Sequence, residues 1–320
     1  MKKMFLSVAA AMIFVISAAA GAFADSPQLV HKPGAMAYEH TKYLSEEIGS
    51  RVMGMNGEAK AREYIGQQFE RIGYEPSVQP FTFTRKGKEI SSANVVAYKP
   101  GKSSKQIIVG AHYDSVAIGK GADDNASGIG VLLEVAEVLK KVSTPYSIVF
   151  VAFGAEEGGL NGSTYYADQM SEGEIKDTAG MVNLDSLAVG DKMYVHGSAG
   201  EEGFIRDQAL KIADKKKLDI GTNPGLNPDY PAGTTGGWSD HAPFDELGIP
   251  FAYFESTNWE IGELDGYNQT EQYGGIWHTE NDTLSFIEEA YPGRIQARLS
   301  TYSEVLTDLL KFFGKTSTSK

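Results

Sequence analysis

Short apolar runs that end in acids or histidines constrain the fold of this chain more than any other feature. Residues 106–111, 147–153 and 180–184 are apolar stretches of strand length, as buried strands are. Residues 192–195 and 249–254 read as two more strands, and 77–84 and 90–98 as a pair joined at Gly87. Helical spacing falls at 38–48, at 58–72 with Gly73 as a stop, at 129–139 and at 204–216. A last helix spans 290–313, broken after Pro292. Strands alternating with helices define an α/β class, a three-layer α/β/α sandwich with a mixed, largely parallel central sheet. Two Gly-, Pro- and Asn-rich stretches, 221–237 and 259–275, are long loops of the kind that carries function.

The start of the chain is an address. Lys2 and Lys3 precede an apolar run over residues 4–20, and Ala22-Phe23-Ala24 is a small-x-small cleavage site. Residues 1–24 therefore read as a signal peptide, cleaved or kept as an anchor, and 25–320 as one catalytic domain of a secreted protein. The 320 residues contain no Cys, so no disulfide is available in an oxidising compartment. Removing residues 1–24 removes two lysines and no acid, which takes the formal charge from −13 to −15. Such a chain is repelled by nucleic acid and by anionic membranes.

The acids and histidines fall where α/β sheets build sites, at the carboxyl ends of strands. His112 and Asp114 follow the run 106–111, Asp123 and Asp124 precede a helix, Glu156 and Glu157 follow 147–153, and Asp185 follows 180–184. His278 lies in a loop. These motifs carry no Lys or Arg. Converging carboxylates repel one another and resist ionising, and divalent cations relieve this. Imidazole plus carboxylate without thiolate suits zinc, with cobalt or manganese as substitutes. The number of donors exceeds the three of a single catalytic zinc and fits two ions ~3.5–4 Å apart.

The ordered motifs His112-x-Asp114, Asp124 in Gly-Ala-Asp-Asp-Asn-Ala-Ser-Gly, Glu156-Glu157, Asp185 and His278-Thr resemble the two-zinc aminopeptidases of secreted bacterial type. That clan includes glutaminyl cyclases, glutamate carboxypeptidases and transferrin-receptor-like ectodomains, and its fold is the zinc exopeptidase fold. The resemblance runs from about Tyr38 to the C-terminus and takes in Leu44 to Arg51 and the segment Ser239-Asp240-His241-Ala242-Pro243-Phe244. It implies two Zn2+ per chain. One is held by His112 and Asp185, the other by Glu157 and His278, and Asp124 bridges both. Glu156 is the general base. Asp114 stands behind His112 and accepts a hydrogen bond from its free nitrogen. The implied substrates are peptides or proteins with a free N-terminus.

Some relatives place Tyr before the last His, where this chain has Trp277, so support of the oxyanion is unassigned. His241 resembles a family position and is expected in the wall of the site or directly behind it. The stretch from Glu255 to Tyr267 resembles exported aminopeptidases that trim an N-terminal basic residue, of the alkaline phosphatase isozyme conversion type. Glu260, Glu263 or Asp265 would then attract the side-chain cation. His31 and His40 are expected at the surface, His196 as a structural residue, and Asp123 as a loop or capping residue. The alternatives are a glutaminyl cyclase, a non-catalytic ectodomain, and a carboxypeptidase, for which the motifs offer no Arg clamp.

Overall fold

The computed structural model describes residues 32–314. The expected signal peptide and His31 lie outside the described residues. Helix α1 (Ala35–Lys42) runs on into a wider helical turn, Tyr43–Ile48. Helix α2 (Asn56–Ile72) stops at Gly73, whose φ of 96° is left-handed. Strands β1 (Ser77–Arg85) and β2 (Lys88–Lys99) form a hairpin. Its turn, Lys86-Gly87, holds φ of 50° and 74°, as a two-residue turn matched to strand twist requires.

The rest alternates: β3 (Gln106–His112), α3 (Gly128–Leu139), β4 (Ser147–Phe153), α4 (Asn161–Asp168), α5 (Glu172–Asp177), β5 (Thr178–Leu184), β6 (Lys192–Gly197), α6 (Phe204–Lys216), α7 (Ala242–Glu246), β7 (Phe251–Thr257), α8 (Leu284–Ala290) and α9 (Arg294–Phe312). The seven strands form one sheet in the order β1-β2-β4-β3-β5-β7-β6. The four central strands are parallel, and the hairpin and β6 join antiparallel at the edges.

Side chains alternate across the sheet and bury on both faces. Ile148, Phe150 and Ala152 of β4 pack with Phe69 of α2, Leu132 of α3 and Leu306 of α9. Val149, Val151 and Phe153 pack on the other side with Phe244 of α7, and Tyr166 and Ile175 close that layer. Burying each such side chain contributes about 1.5–3 kcal/mol. These are the three layers expected.

Several details differ from the sequence reading, each for a local reason. The break expected after Pro292 is there, at Tyr291-Pro292-Gly293, but the helix before it, α8, begins upstream at Leu284 rather than at Ala290. Thr283 caps α8 by accepting the N–H of Phe286 at 3.3 Å. Strand β7 begins after Pro250, which has no N–H, rather than at Ile249. The short helices α4, α5 and α7 were not foreseen, although Ser171 and Glu174 form a capping box on α5.

His40 is buried rather than exposed. Its Nδ1 lies 2.7 Å from the Tyr64 hydroxyl, between α1 and α2. Burial, with Arg71 nearby, pushes its imidazole from 6.5 down to about 4. The folded state therefore binds fewer protons than the unfolded chain between those values, and stability falls as pH drops through that window. The expected loss from this group between pH 7 and pH 5 is on the order of 2 kcal/mol. His40→Gln should flatten that part of the urea-midpoint profile. An unchanged profile would assign the acid sensitivity elsewhere.

Because β3, β4, β5 and β7 run parallel, their carboxyl ends meet at one edge of the sheet. There the chain leaves the sheet at His112, Phe153, Leu184 and Thr257.

Candidate metal centre

His112 ends β3, and Asp114 follows it. Asp124 lies in the buried turn Ala122–Ser127 that leads into α3, Glu156 and Glu157 open the turn after β4, and Asp185 follows β5. His278 reaches in from the loop after β7. Three residues at this edge hold left-handed backbones although none is Gly: Ala155 (φ 54°), Ser186 (φ 53°) and His278 (φ 55°). Each adjoins or is a candidate donor, and such strain concentrates at functional sites.

Among the described residues, the donors fall into three overlapping groups; one joins Glu156 and Glu157 to His112, and the other two share the carboxylate of Asp124. His112, Asp124 and Asp185 offer ligand atoms within 4.8 Å of one another, and so do Asp124, Glu157 and His278. Asp124 turns one oxygen to each side. Its Oδ1 lies 3.1 Å from His112 Nε2, and its Oδ2 lies 3.1 Å from His278 Nε2. His112 Nε2 is 3.4 Å from Asp185 Oδ1, and His278 Nε2 is 2.8 Å from Glu157 Oε2.

This donor set fits divalent cations. Both imidazoles aim Nε2 at oxygens of two carboxylates at once. A neutral ring donates its one N–H to one of them, whereas a cation there lets the ring's lone pair and both carboxylates bind together. With no cation between them, the carboxylates favour the protonated rings. Bonding to Asp124 and Glu157 raises His278 to about 11, and although burial opposes it, Glu156 and Asp185 raise His112 well above its usual range. Burial and the Asp124 charge push Glu157 up to about 7. Burial would also raise Asp124, but its bonds to the two imidazoles hold it below the carboxylate range. The buried Oε1 of Glu157 has no partner. The donor set itself, acids and imidazoles converging without a protein cation among them, suits divalent metal.

Glu156 stands apart. Its carboxyl faces the same cavity, its Oε2 is 4.0 Å from His112 Nε2, and no hydrogen bond among the described residues holds it. Burial raises it well above its ordinary value. His112 opposes the rise, while Asp240, Asp185 and Glu157 reinforce it.

Asp114 lies behind His112, with Oδ1 3.6 Å from Nδ1, longer than a hydrogen bond. Its two oxygens accept instead the main-chain N–H groups of Glu156 (3.0 Å) and Glu157 (3.2 Å), which fixes that turn. Asp185 is fixed by Ser239 Oγ at 2.6 Å, and Asn183 donates to that hydroxyl at 2.7 Å.

The cluster lies at the floor of a cavity of about 320 Å³. Tyr230, Trp238, Tyr253, Tyr267 and Trp277 form its walls, with Asp265 among them. Among the described residues, neither Lys nor Arg lines it. Of the expected substrate contacts, Trp277 and Asp265 are in place. His241 is not. It is buried beneath, its Nε2 donating to Gly236 O at 2.9 Å and its ring stacked on Tyr253. Glu260 pairs with Lys192 at the surface, and Glu263 does not reach the cavity.

One finding overturns the reading that no cation adjoins the acids. Arg51 is fully buried behind the cluster, and Asp282, Asp114, Asp124 and Glu157 all act on its charge. Its distance of about sixty residues from the first motif hid it. Asp282 and Gln269, which tie the loops of the site together, were missed although both lie within ten residues of His278.

The sheet order, with a carboxylate–imidazole cluster at the parallel strand ends, places the protein in the zinc exopeptidase fold class. The chain belongs to Peptidase family M28, whose model matches residues 94–303. It is 35% identical over 319 residues to the alkaline phosphatase isozyme conversion protein of Escherichia coli K12, covering 89% of this chain and 92% of that protein. It is 35% identical over 206 residues to aminopeptidase YwaD of Bacillus subtilis, covering 62% of this chain and 41% of that protein. The zinc aminopeptidase BSAP of B. subtilis has the same fold, with a TM-score of 0.72 at 21% identity over 91% of this chain and 97% of that one.

Proposed function

We propose that this protein is a secreted metallo-aminopeptidase with two zinc ions, residues 25–320 forming its catalytic domain after removal of 1–24. The observation that carries the reading is Asp124, whose two oxygens face two separate donor groups at the floor of the cavity. His112, Asp124 and Asp185 would hold one ion, and Asp124, Glu157 and His278 the other. When bound, such a pair polarises a carbonyl and lowers the pKa of a water.

The chain's own residues supply the rest. Glu156 takes the proton of the attacking water on its carboxylate and returns it to the leaving amine. The water oxygen joins the carbonyl carbon and the C–N bond breaks. The carboxylates of the floor, with no Lys or Arg beside them in the lining, favour the free α-ammonium of an N-terminus. A substrate carboxylate finds no clamp there. Arg51, the buried candidate, spends its N–H groups on main-chain carbonyls. This argues against a carboxypeptidase. The intact Glu156 and donor sets argue against a non-catalytic ectodomain and favour hydrolysis over cyclase chemistry.

Aromatic faces with Asp265 among them suit a cationic side chain. We therefore propose Arg or Lys as the favoured N-terminal residue. No helix of the described residues is long and apolar enough to cross a membrane.

A panel of amino-acid p-nitroanilides tests the reading. Arg and Lys substrates are expected to exceed Leu in kcat/KM by about 10-fold, N-acetylated ones to resist cleavage, and a chelator to abolish activity until zinc is returned. Activity that survives complete metal removal overturns the mechanism. Equal cleavage of acetylated substrates overturns the exopeptidase assignment. A Leu preference removes the basic specificity alone. Ammonia release from N-terminal Gln peptides without p-nitroaniline release would favour the cyclase.

A further inference from the structure

The loop after β7 reaches His278 without helix or strand, apart from a bridge between Thr270 and Gly274. At its end His278 holds a left-handed backbone, which persists only when its surroundings impose it. A single side chain does much of that. Gln269 is fully buried. Its Oε1 accepts the N–H groups of Ile276 at 2.8 Å and Trp277 at 3.0 Å, the two residues before His278. Its Nε2 donates to Asp123 Oδ2 at 2.6 Å, one residue before Asp124. Asp123 Oδ1 accepts the N–H groups of Ala188 at 2.6 Å and Val189 at 3.2 Å, in the turn that follows Asp185. The main-chain oxygen of Gln269 also accepts the N–H of Asp191 at 2.8 Å. From the other side, Asp282 accepts the N–H groups of Asp123 at 2.7 Å and Asp124 at 3.3 Å.

We infer that Gln269 is a positioning residue whose amide sets the spacing between His278 and Asp124, and with it the affinity of the cation site formed by Asp124, Glu157 and His278. The inference rests on the two-metal reading above. The chemistry of the contact calls for an amide: one end must accept two N–H groups while the other donates to a carboxylate, and both needs are met without leaving a buried polar atom unpaired. A carboxylate at 269 would satisfy the two N–H groups but face Asp123 charge to charge. Asp123→Asn in the same chain would restore a donor across that contact with its direction reversed. The remaining oxygen at 123 would still serve Ala188 and Val189.

Zinc titration of the metal-free protein against a chromophoric chelator at pH 8, with circular dichroism to confirm folding, reads this out without activity. Wild type is expected to bind two zinc ions. Gln269→Glu is expected to weaken one of them by about 10–100-fold and to leave the other within about 3-fold. The double variant Gln269→Glu, Asp123→Asn is expected to recover most of the lost affinity. Unchanged binding in Gln269→Glu, equal weakening of both ions, or a double variant no tighter than the single one overturns the inference and leaves the two-metal reading intact. A wild-type chain that binds fewer than two ions overturns that reading, and the inference with it.

Discussion

The variant Glu156→Gln is expected to lower kcat by about 10²–10⁴-fold while binding zinc as wild type does. The two side chains have the same shape, and no hydrogen bond among the described residues depends on the carboxyl. The main-chain N–H of Glu156, which Asp114 accepts, is untouched by the exchange. What disappears is a group able to take a proton and give it back. Burial raises this carboxyl well above the usual range, with His112 opposing the rise. A loss made only in the transition state lowers kcat and kcat/KM together and leaves KM near its wild-type value. Turnover within a few-fold of wild type would move the base to another residue. A lost zinc ion would instead make Glu156 a ligand, a role its place within 4.8 Å of His112 and Glu157 would allow.

The parts of this protein that sequence alone resolved share one property: their information is local. A buried strand shows as a run of apolar residues, and 147–153 matches β4 residue for residue. His112 ends β3, Asp185 directly follows β5 and Glu156 stands three positions past β4, so the topology of a parallel sheet gathers these, while Asp124 and His278 arrive on the turn before α3 and the loop after β7. Illegible features depend on contacts far apart in the chain. His40 looked like a surface residue because burial under Tyr64 is set by the packing of α1 on α2. Glu260 looked available in an acidic loop, but Lys192 from a neighbouring strand takes it. Asp114 was assigned by analogy to one hydrogen bond and makes two others, to the turn that carries Glu156 and Glu157. Gln269 and Asp282 have no motif of their own. Short helices such as α7, five residues long, leave too few turns for a period to show.

Arg51→Met is expected to destabilise the fold by at least about 4 kcal/mol, the largest effect of any single change outside the donors. The guanidinium is fully buried and meets no carboxylate in a hydrogen bond. Nε donates to Tyr113 O at 2.7 Å, and Nη2 to Gly121 O at 2.8 Å. Nη1 serves Lys120 O at 2.8 Å and Gly49 O at 3.1 Å, with Leu44 O at 3.4 Å. Tyr113 adjoins His112, and Gly121 begins the turn that carries Asp124. A planar fork thus clamps the strand end and the bridging turn to the helical turn Tyr43–Ile48. Burial lowers the guanidinium below its ordinary value, while Asp282, Asp114, Asp124 and Glu157 pull it back up. Its charge therefore offsets part of the repulsion within the acid cluster. Methionine fills the volume but leaves these carbonyls unpaired in the interior and removes that charge. Arg51→Lys is expected to recover little, because an ammonium offers three donors from one atom and cannot span carbonyls arranged around a fork. Urea unfolding of the metal-free protein measures both losses without the stabilisation that zinc adds to every folded variant by mass action. A Lys variant within about 1 kcal/mol of wild type would show that charge alone, rather than the fork, holds these loops.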